Sequence, residues 1–337
     1  MKRLLLPALL FLTSISVTAQ PSDTVAVLFY NVENLFDTID QPNPYQSEGG
    51  DDEYHPGAKK EWTTDRYEAK LKNLAQVINS VNNGKGPDLA GFCEVENQYV
   101  LWDLINRHLV NKNFGVVYKE SPDARSIDVA VIYRLDRFSV LQSTAYTISL
   151  EGFKPTRDIL RVDLTAGTTP LTVFVNHWPS KSGGAEKSDP YRMAAAKRLK
   201  EVTAQIQNEQ PLADFLILGD LNCNPDESPI REGLGIIKGA TSPLVNLTEA
   251  IWNPETTGTL QYRGKWDLID QVIVSDGLLN LSGFSVQTGS LRILNDQAYR
   301  EQEGKFAGSP FRTYAGDKYL GGFSDHFAVT LNLILKR

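Results

Sequence analysis

The sequence predicts an α/β or α+β fold, because strand-like segments recur from one end of the chain to the other. The chain has 337 residues, of which 41% are hydrophobic, and this is enough for a large core. Several strand-like segments are nearly continuous apolar runs, a pattern typical of strands covered on both faces. Helical segments lie between some of them. We therefore expect two mixed β-sheets packed together, with helices outside them.

Eight segments rich in Val, Ile, Leu and aromatic residues are predicted to form strands. Some are separated by helical patterns and others by turns, so the pattern alone leaves α/β and α+β both open. The predicted strands are Val25–Val32, Asp88–Val95, Asp128–Arg134, Leu160–Leu164, Leu171–Trp178, Asp214–Asn222, Leu268–Ser275 and Ala328–Leu335.

Two helices are predicted between these strands. In the segment Asp65–Val81, apolar residues recur on one helical face, and two threonines precede it as candidate N-caps. A second helix is predicted from Pro190 to Ile206, because proline is favoured in the first turn of a helix. The stretches Thr38–Trp62 and Asn295–Phe323 are rich in glycine and charged residues. We predict that they are long loops with a functional role.

The N-terminus has the pattern of a secretory signal peptide. Two basic residues precede an apolar stretch, Leu4–Val17, and a small-residue sequence ends at Ala19. This stretch is too short for a comfortable membrane span, and no second hydrophobic segment accompanies it. We therefore expect residues 1–19 to be removed and residues 20–337 to form one domain. The mature protein would be secreted or periplasmic, without a transmembrane segment.

The charge balance restricts the possible functions. The chain carries 34 basic and 41 acidic side chains, a net charge of -7. This excess of acid argues against a basic protein that binds nucleic acid stably without acting on it. It does not exclude an enzyme whose bound metal supplies local positive charge. The two cysteines, Cys93 and Cys223, lack zinc-ligand spacing, and we expect small buried residues rather than a disulfide.

Polar side chains stand where several of the predicted strands end. Asp220 and Asn222 end one apolar run, and their i, i+2 spacing points both side chains to the same side. A carboxylate and an amide could then face one phosphate or one metal ion. Taken alone, the tetrapeptide Gly219–Asn222 could equally be a tight turn. The other polar residues at strand ends are Asn31, Glu33, Glu94, His177 and Asp270.

The segment Ser324–His326 precedes the last predicted strand and offers two kinds of chemistry. The carboxylate of Asp325 is a hard oxygen ligand of the kind that binds Mg²⁺ or Mn²⁺. The imidazole of His326 is a general base that titrates near neutral pH. Acidic and amide oxygens without clustered Cys or His favour Mg²⁺, Mn²⁺ or Ca²⁺ over zinc. We therefore predict a divalent-metal site with oxygen ligands.

Six short motifs, taken in order along the chain, resemble the motif series of the endonuclease/exonuclease/phosphatase superfamily. Together they span residues 25 to 335, nearly the whole mature chain. The resemblance implies a four-layer α/β sandwich with the site at one edge of the two sheets. It also implies metal-dependent hydrolysis of phosphoesters. The motifs are Tyr30–Phe36, Cys93–Val95, Asn176–Ser180, Gly219–Asn222, Ile269–Val272 and Ser324–His326.

The resemblance implies which side chains bind the metal. Glu94 would be the main ligand, assisted by Asn31 and Asp325. Glu33 matches an auxiliary acidic position that part of the superfamily has. The cation itself would be Mg²⁺ or Mn²⁺, with Ca²⁺ as a further alternative.

The resemblance also implies catalytic roles. His326 would accept the proton of the attacking water, and Asp270 would orient its imidazole. Asp220 and Asn222 would hold the nucleophile and a phosphate oxygen, although mechanisms in the superfamily differ on whether the aspartate itself takes the proton. His177 would stabilise the pentacovalent phosphate or protonate the leaving oxygen.

Asp128 is a further candidate, because it lies near where some nucleases of the superfamily place an acid that pairs with the second histidine. We predict that Asp128 pairs with His177, and a structural acid that caps the strand is an equal alternative. The sequence departs from the superfamily pattern after His326, where Phe327 and Ala328 stand and many relatives have a proline.

The sequence thus predicts a secreted or periplasmic endonuclease that is monomeric and meets nucleic acid as a substrate rather than a stable partner. A phosphatase or phospholipid phosphodiesterase, acting on inositol phosphates or sphingomyelin, is the alternative on the same scaffold. A catalytically silent binding protein is the non-enzyme alternative, although every ligand and base position is filled. The predicted substrate contacts, each of which could equally be an ordinary surface residue, are Lys181, Lys187, Arg192, Arg312, Tyr314 and Tyr319.

Overall fold

The computed structural model describes residues 23–41, 52–152, 154–237, 239 and 242–336. The predicted signal peptide, residues 1–19, lies outside the described residues. No helix within the described ranges is long and apolar enough to cross a membrane. The α-helices are α1 (Thr64–Gly84), α2 (Gln98–Arg107) and α3 (Ala185–Glu209), and Pro229–Leu234 forms a π-helical turn.

The strands build two large mixed sheets and two short hairpins. In chain order they are β1 (Asp23–Leu35), β2 (Leu89–Val95), β3 (Phe114–Tyr118), β4 (Asp128–Arg134), β5 (Ser139–Tyr146), β6 (Ile159–Ala166), β7 (Thr169–His177), β8 (Phe215–Asp220), β9 (Leu244–Asn246), β10 (Leu260–Tyr262), β11 (Lys265–Asp267), β12 (Asp270–Ser275), β13 (Phe284–Val286), β14 (Arg292–Leu294), β15 (Tyr314–Ala315), β16 (Lys318–Tyr319) and β17 (Ala328–Leu335). The first sheet has the order β13-β17-β1-β2-β4-β3, with β14 also paired to β17, and the second has the order β5-β6-β7-β8-β12-β9. The pairs β1–β2 and β7–β8 are parallel, which makes both sheets mixed.

Alternation of side chains along the central strands explains the layers. In β1, Val27 and Phe29 face the second sheet, whereas Leu28 packs on the side of α1 and α2. In β8, Leu216 faces the first sheet and Ile217 packs with α3. The order of layers is therefore α1 with α2, first sheet, second sheet and α3. This arrangement confirms the predicted four-layer α/β sandwich with two packed mixed sheets flanked by helices.

Each predicted strand corresponds to an observed strand, with small differences at the ends. The short helix α2 was not predicted from the sequence. It begins after Asn97, whose side-chain oxygen accepts hydrogen bonds from the N–H groups of Tyr99 (2.8 Å) and Val100 (3.1 Å). Because α2 has only 10 residues, its apolar pattern is too short to distinguish from other structures by periodicity.

The predicted start of the second helix was wrong. The helix α3 begins at Ala185, so Pro190 lies inside it and not in its first turn. A proline at this position removes one backbone N–H, which would otherwise donate to the carbonyl of Glu186. Glu186 is exposed, so solvent can reach this end of the helix. The proline therefore did not mark the helix boundary.

Gly91 of β2 lies at a point where the two sheets pack closely together. A Cβ atom added here would lie 3.0 Å from Cγ2 of Val175 and 3.4 Å from Cδ1 of Leu218, both in the second sheet. Gly91→Ala should therefore lower the free energy of unfolding by about 1–3 kcal/mol, measured by urea denaturation. Val175→Ala should also destabilise alone, but the double variant should lose less than the two single losses together. Additive losses would contradict a direct packing conflict.

Candidate active site

Irregular backbone in two neighbouring strands shapes one edge of the first sheet. The β1–β2 register shifts between Asn31 and Leu35, and the β2–β4 register shifts around Glu94. Glu33, Asn34 and Glu94 have φ angles of 51°, 52° and 63°, in the left-handed region that residues other than glycine seldom adopt. Such bulges often occur next to active sites, because they change the direction of a side chain. Here they bring polar side chains to the sheet edge.

Three residues form a row across the second sheet. His177 ends β7 and is in register with Asp220, the last residue of β8. Asp220 is in turn in register with Asp270, the first residue of β12. Side chains of paired residues in adjacent strands point to the same face of a sheet. The ends of these three strands therefore place an imidazole and two carboxylates side by side.

Two contacts join the edges of the two sheets. Nδ2 of Asn31 in the first sheet donates to Oδ2 of Asp220 in the second sheet (3.1 Å) and to Oε1 of Glu94 (3.4 Å). His326 lies just before β17 of the first sheet, and its Nδ1 is 2.7 Å from Oδ2 of Asp270. The polar residues that follow the central strands therefore form a single cluster.

His326 is held by its backbone as well as by its ring. The hydroxyl of Ser324 donates to the backbone carbonyl of Asn31 (2.7 Å) and accepts from the N–H of His326 (3.1 Å). Although burial alone lowers the pKa of His326, the carboxylates of Asp270 and Asp325 raise this pKa well above its ordinary value. The bond to Asp270 therefore orients the ring, and the neighbouring carboxylates favour its protonated form.

The buried acids form a site that could hold a metal ion. Asp220, Asp270 and His326 each offer a ligand atom, and these atoms lie within 4.8 Å of one another. Burial raises the pKa of Asp220 above its ordinary value, His326 partly offsets this effect, and Asp270 adds to it. A bound cation would offset the repulsion among these carboxylates, and oxygen donors suit a hard divalent ion. The residues present therefore fit a divalent metal.

The predicted metal ligands lie around this cluster. Glu94 has 14% of its side chain exposed, and its Oε2 accepts from the N–H of Asn34 (2.9 Å). Asp325 has 30% of its side chain exposed, and its Oδ1 lies 3.8 Å from Nε2 of His326. Asn31 is fully buried and contacts Glu94 directly. Glu94 and Asp325 thus keep carboxylate surface accessible to a cation.

Glu33, the auxiliary acid, is already engaged by backbone groups. Its two oxygens accept from the N–H groups of Thr313 (2.6 Å) and Tyr314 (3.2 Å). Nζ of Lys70, a buried residue of α1, lies 3.9 Å away, and it donates to the hydroxyl of Thr313 and the carbonyl of Phe323. Burial and the charge of Asp325 raise the pKa of Glu33. Glu33 therefore anchors the stretch Asn295–Phe323, called the late loop below, beside the metal-binding residues.

His177 lies on the other side of Asp220. Its Nε2 is 3.6 Å from Oδ2 of Asp220 and 3.8 Å from Oε1 of Glu94. Burial, followed by the charges of Arg157 and Arg125, lowers the pKa of His177 well below its ordinary value. The two histidines of the cluster therefore have opposite tendencies, because the acids favour protonated His326 and the arginines favour neutral His177.

The predicted pairing of Asp128 with His177 is not observed. Nδ1 of His177 has no hydrogen-bond partner among the described residues. The carboxylate of Asp128 instead accepts from the hydroxyl of Tyr118 (2.6 Å), the N–H of Ser121 (3.0 Å) and the hydroxyl of Ser121. Burial raises the pKa of Asp128 to about 7. Asp128 therefore fixes the start of β4 to β3, as the structural alternative predicts.

Arg192 was wrongly predicted as a substrate contact. Its side chain is fully buried, and its guanidinium donates to Oγ of Ser188 (2.9 Å), Oδ1 of Asp189 (3.2 Å) and the carbonyl of Pro179 (3.3 Å). These bonds join α3 to the segment that follows His177. A basic residue near a site motif can thus be buried and help to hold the fold together. Its position along the helix decides whether its side chain lies on the buried or the exposed face.

The two tyrosines predicted to stack on bases lie in an aromatic cluster of the protein itself. Tyr314 is buried against Trp62 (ring centroids 6.0 Å apart) and Tyr319 (5.4 Å). The guanidinium of Arg66 lies 4.4 Å from the ring centroid of Tyr319. These contacts pack the late loop against Trp62 and α1, and they leave Tyr314 buried and Tyr319 half-buried. The buried ring of Tyr314 is not available to stack on a base, whereas base stacking by Tyr319 stays a prediction.

The remaining predicted substrate contacts are more accessible. Lys187 is exposed, and Arg312 is half-buried. Lys181 has 34% of its side chain exposed, but its Nζ is bound to Oε1 of Glu227 at 2.6 Å. Among the four predicted basic side chains, Lys187 and Arg312 are thus at least partly exposed and have no ion pair within the described residues.

Sequence reasoning missed two buried cations that support the site. Arg157 donates to the backbone carbonyls of His177 (3.2 Å) and Trp178 (2.8 Å) and pairs with Asp123 (2.8 Å). Lys70 connects α1 to the late loop, as described above. Neither lies in a recognisable motif. In the sequence Lys70 is a polar residue within an amphipathic helix, and only the fold reveals that it is buried.

The backbone N–H and the side-chain amide group of Asn222 complete the cluster. The N–H of Asn222 donates to Oδ1 of Asp220 (3.0 Å), and its Nδ2 donates to the carbonyl of Trp178 (2.9 Å). Asn222 has a φ angle of 49°, so Gly219–Asn222 combines a strand end with a tight turn. The neighbouring Cys223 and the earlier Cys93 are buried and free, in agreement with the expected small core residues.

Comparison with known proteins places the whole described core in one family. The model of the family described as "Endonuclease/Exonuclease/phosphatase family" matches residues 26–335. Among curated proteins, no sequence matches at a significant level.

Solved structures share the fold at low sequence identity. An endonuclease/exonuclease/phosphatase family protein from Bacteroides thetaiotaomicron is 15% identical with a TM-score of 0.59, covering 94% of this chain and 99% of that one. A mannosyl-6-phosphatase of the same organism is 15% identical with a TM-score of 0.58, covering 92% and 100%. A humanized D. rerio TDP2 is 14% identical with a TM-score of 0.57, covering 93% and 99%. At such identities the likeness concerns the fold alone.

Proposed function

This chain belongs to the endonuclease/exonuclease/phosphatase family, and we propose that it is an exported, divalent-metal-dependent phosphodiesterase that cleaves nucleic acid. The observation that carries the proposal is the buried cluster of Asp220, Asp270 and His326, bordered by Glu94 and Asn31. A phosphodiester resists hydrolysis because its anionic oxygens repel the nucleophile. The cluster combines oxygen ligands for a cation, a proton acceptor and polar donors, which are the groups that this reaction needs.

Glu94, Asp325 and Asn31 would hold the cation. A bound Mg²⁺ or Mn²⁺ supplies positive charge that stabilises the phosphate oxygens during the reaction. The partial exposure of Glu94 and Asp325 leaves room for a substrate oxygen beside them. Glu33 supports this side of the site by holding the late loop, and its bonds to that loop make it an unsuitable primary ligand.

His326 and Asp270 would activate the attacking water. The bond of 2.7 Å between Nδ1 and the Asp270 carboxylate orients the ring so that its Nε2 faces the water. Nε2 would accept the proton from the neutral form of the ring, which a cation bound among the neighbouring acids favours over the imidazolium. The same bond stabilises the imidazolium that results. Asp220 lies 3.9 Å from Nε2 and would orient the water, while its own protonation is set by burial and by His326.

His177 would stabilise the leaving side of the phosphate. Its pKa is lowered, so the ring is neutral and can donate one hydrogen bond to an oxygen without adding a full charge. Asn222 is fixed by its bonds to Asp220 and Trp178 and would help to orient a phosphate oxygen. Removal of either side chain should reduce the stabilisation of the transition state more than it reduces the affinity for the substrate.

The charges of the site support a diester as substrate. Five acids lie in or beside the cluster, whereas its two buried cations, Lys70 and Arg157, are engaged with protein oxygens. A phosphomonoester carries about one more negative charge at neutral pH than a diester, so it would be bound less readily in this setting. A phosphomonoesterase remains the second candidate, because the mannosyl-6-phosphatase shares the fold.

Nucleic acid is the substrate that we favour among diesters. Lys187 is exposed and Arg312 is half-buried, and both lie close in sequence to the motifs that contribute His177 and His326. Accessible basic groups of this kind contact flanking phosphates. The predicted signal peptide supports action outside the cytoplasm, where a nuclease of broad specificity would degrade nucleic acid for nutrients. The acidic composition supports transient binding of this substrate and not a stable complex.

A substrate panel tests the proposal directly. The purified protein would be incubated with plasmid DNA, RNA, bis-4-nitrophenyl phosphate, mannose 6-phosphate, an inositol phosphate and sphingomyelin, each with Mg²⁺, Mn²⁺, Ca²⁺ or EDTA. We expect metal-dependent hydrolysis of DNA or RNA and of the aryl diester. Hydrolysis of the monoesters or sphingomyelin alone would refute the nuclease proposal, and no hydrolysis of any compound would refute the enzyme proposal. The cell fraction that contains the native protein tests export.

A further inference from the structure

An exposed arginine lies in the loop between β3 and β4. Arg125 has 49% of its side chain exposed. Its Nε lies 3.4 Å from Oδ1 of Asp123, and its backbone N–H donates to the same oxygen at 3.0 Å. The N–H of Ser126 donates to the carbonyl of Asp123 (3.2 Å), and Ser126 has a φ angle of 50°. A tight turn therefore fixes the position from which this guanidinium extends.

A buried ion pair connects this turn to the candidate active site. Oδ2 of Asp123 accepts from Nη1 of Arg157 at 2.8 Å, and both side chains are less than a tenth exposed. Nε of Arg157 then donates to the backbone carbonyl of His177 at 3.2 Å. Arg125 is therefore separated from the backbone of His177 by two side chains.

The corner formed by these residues has an excess of positive charge. Arg157 and Arg125 share the single carboxylate of Asp123, so the group of three carries about one net positive charge at neutral pH. Arg157 is buried, and the exposed end of the group is Arg125. Among the described residues, Nη1 and Nη2 of Arg125 have no hydrogen-bond partner. These two atoms form the fork that binds phosphate oxygens in pairs.

We propose that Arg125 binds a second phosphate of the substrate, adjacent to the phosphoester that is hydrolysed and on the His177 side of the site. This inference depends on the proposed function, because it assigns a neighbour to the phosphate at the reaction centre. The second phosphate could belong to the next nucleotide of a chain or to a small molecule with several phosphates. The chemistry of recognition is the same in both cases.

Short substrates with one or two phosphates test this inference. The dinucleotide d(TpT) has one phosphate, whereas d(pTpT) and d(TpTp) add a second at either end. We expect wild-type kcat/KM to be about tenfold higher for one of the two-phosphate compounds than for d(TpT), as one charge-assisted contact allows. Arg125→Met should remove this preference mainly by raising KM for the two-phosphate compound, and Arg125→Lys should retain part of it.

A second pair of substrates identifies the source of the phosphate. A preference for inositol 1,4-bisphosphate over inositol 1-phosphate, lost in Arg125→Met, would assign the contact to small polyphosphorylated molecules. The same loss with the dinucleotides would assign it to nucleic acid. Arg198→Met is the matched control, because Arg198 pairs with Glu201 on the exposed side of α3. This control should keep the preference of the wild type.

Three results would overturn the inference while leaving the proposed function intact. They are the absence of any two-phosphate preference in an active wild type, the same preference in Arg125→Met, and equal loss on one- and two-phosphate substrates. Equal loss would show that Arg125 supports the turn or His177 instead, and melting temperatures would reveal such a structural effect. Hydrolysis of bis-4-nitrophenyl phosphate measures the proposed function separately. An enzyme inactive on every phosphoester would refute both.

Discussion

Removal of the divalent cation is expected to abolish hydrolysis, and Glu94→Gln is expected to reproduce much of this loss in the presence of metal. Gln keeps the size of the side chain but removes the charge that the cation would bind. Metal-assisted stabilisation of a phosphate transition state amounts to several kcal/mol. We therefore expect kcat/KM for bis-4-nitrophenyl phosphate to fall by about 100-fold or more, with partial recovery at high Mg²⁺ or Mn²⁺.

Binding must be measured apart from turnover to assign this effect. A ligand that binds only the folded state raises the melting temperature, so titration with Mg²⁺ or Mn²⁺ should stabilise the wild type. The same titration should shift Glu94→Gln much less. Glu201→Gln, which changes an exposed acid on α3, is the control and should respond as the wild type does. Full activity in excess EDTA, with no tightly held metal detected, would contradict the role of Glu94.

The sequence predicted the central cluster because chemistry and strand ends coincide there. Strand periodicity identified where β7 and β8 stop, and polar residues directly follow or end these runs. In a packed sandwich, strands that stop at one edge bring their last residues together. This geometry accounts for His177 and Asp220, which end two paired strands, whereas Asp270 begins β12 and joins the row because β12 is antiparallel to β8. The resemblance to a known superfamily added the roles, and the family match covers residues 26–335, a range that includes all six motifs.

The residues predicted around the central cluster were less accurate, because the exposure of a side chain depends on the whole fold. Arg192 follows the motif that contains His177 and Tyr314 precedes the motif that contains His326, but α3 and the late loop direct both side chains into the protein. Spacing from a motif does not determine whether a side chain extends into solvent or against a neighbouring layer. Asp128 was predicted either to pair with His177 or to be a structural acid that caps its strand, and the structural alternative is observed. Its partners, Tyr118 of β3 and Ser121 just after it, come from a segment that was not predicted as a strand.

The irregular backbone conformation of the site could also not be predicted from the sequence. Glu94 is a glutamate in the left-handed region, and no local preference of this residue indicates such a conformation. The conformation follows from the shift of register between β2 and β4. It persists only because surrounding structure compensates for its cost, which is about 1–3 kcal/mol for a residue of this kind. Strand prediction from periodicity assumes regular pleating, so it continues through a bulge without detecting it.

Loss of the base is expected to have the second large effect. His326→Ala should lower kcat by about 100-fold or more, because positioned acid–base catalysis contributes this much. Asp270→Asn should lower kcat less, since the ring remains but its orientation and proton affinity are weakened. Near-normal turnover in His326→Ala would show that another group accepts the proton, and Asp220 would then be the first residue to test.

The double variant of His326→Ala and Asp270→Asn shows whether the two residues act as one catalytic unit or contribute independently. If Asp270 acts only through His326, the double variant should lose little more than His326→Ala alone, whereas independent contributions would multiply. Folding must be monitored, because His326→Ala leaves the fully buried Asp270 carboxylate without its partner and this can destabilise the protein. His326→Gln keeps a hydrogen-bond donor near Asp270 but cannot act as a base. A stable His326→Gln variant with a similarly reduced kcat would therefore assign the loss to proton transfer, and full activity in this variant would refute it.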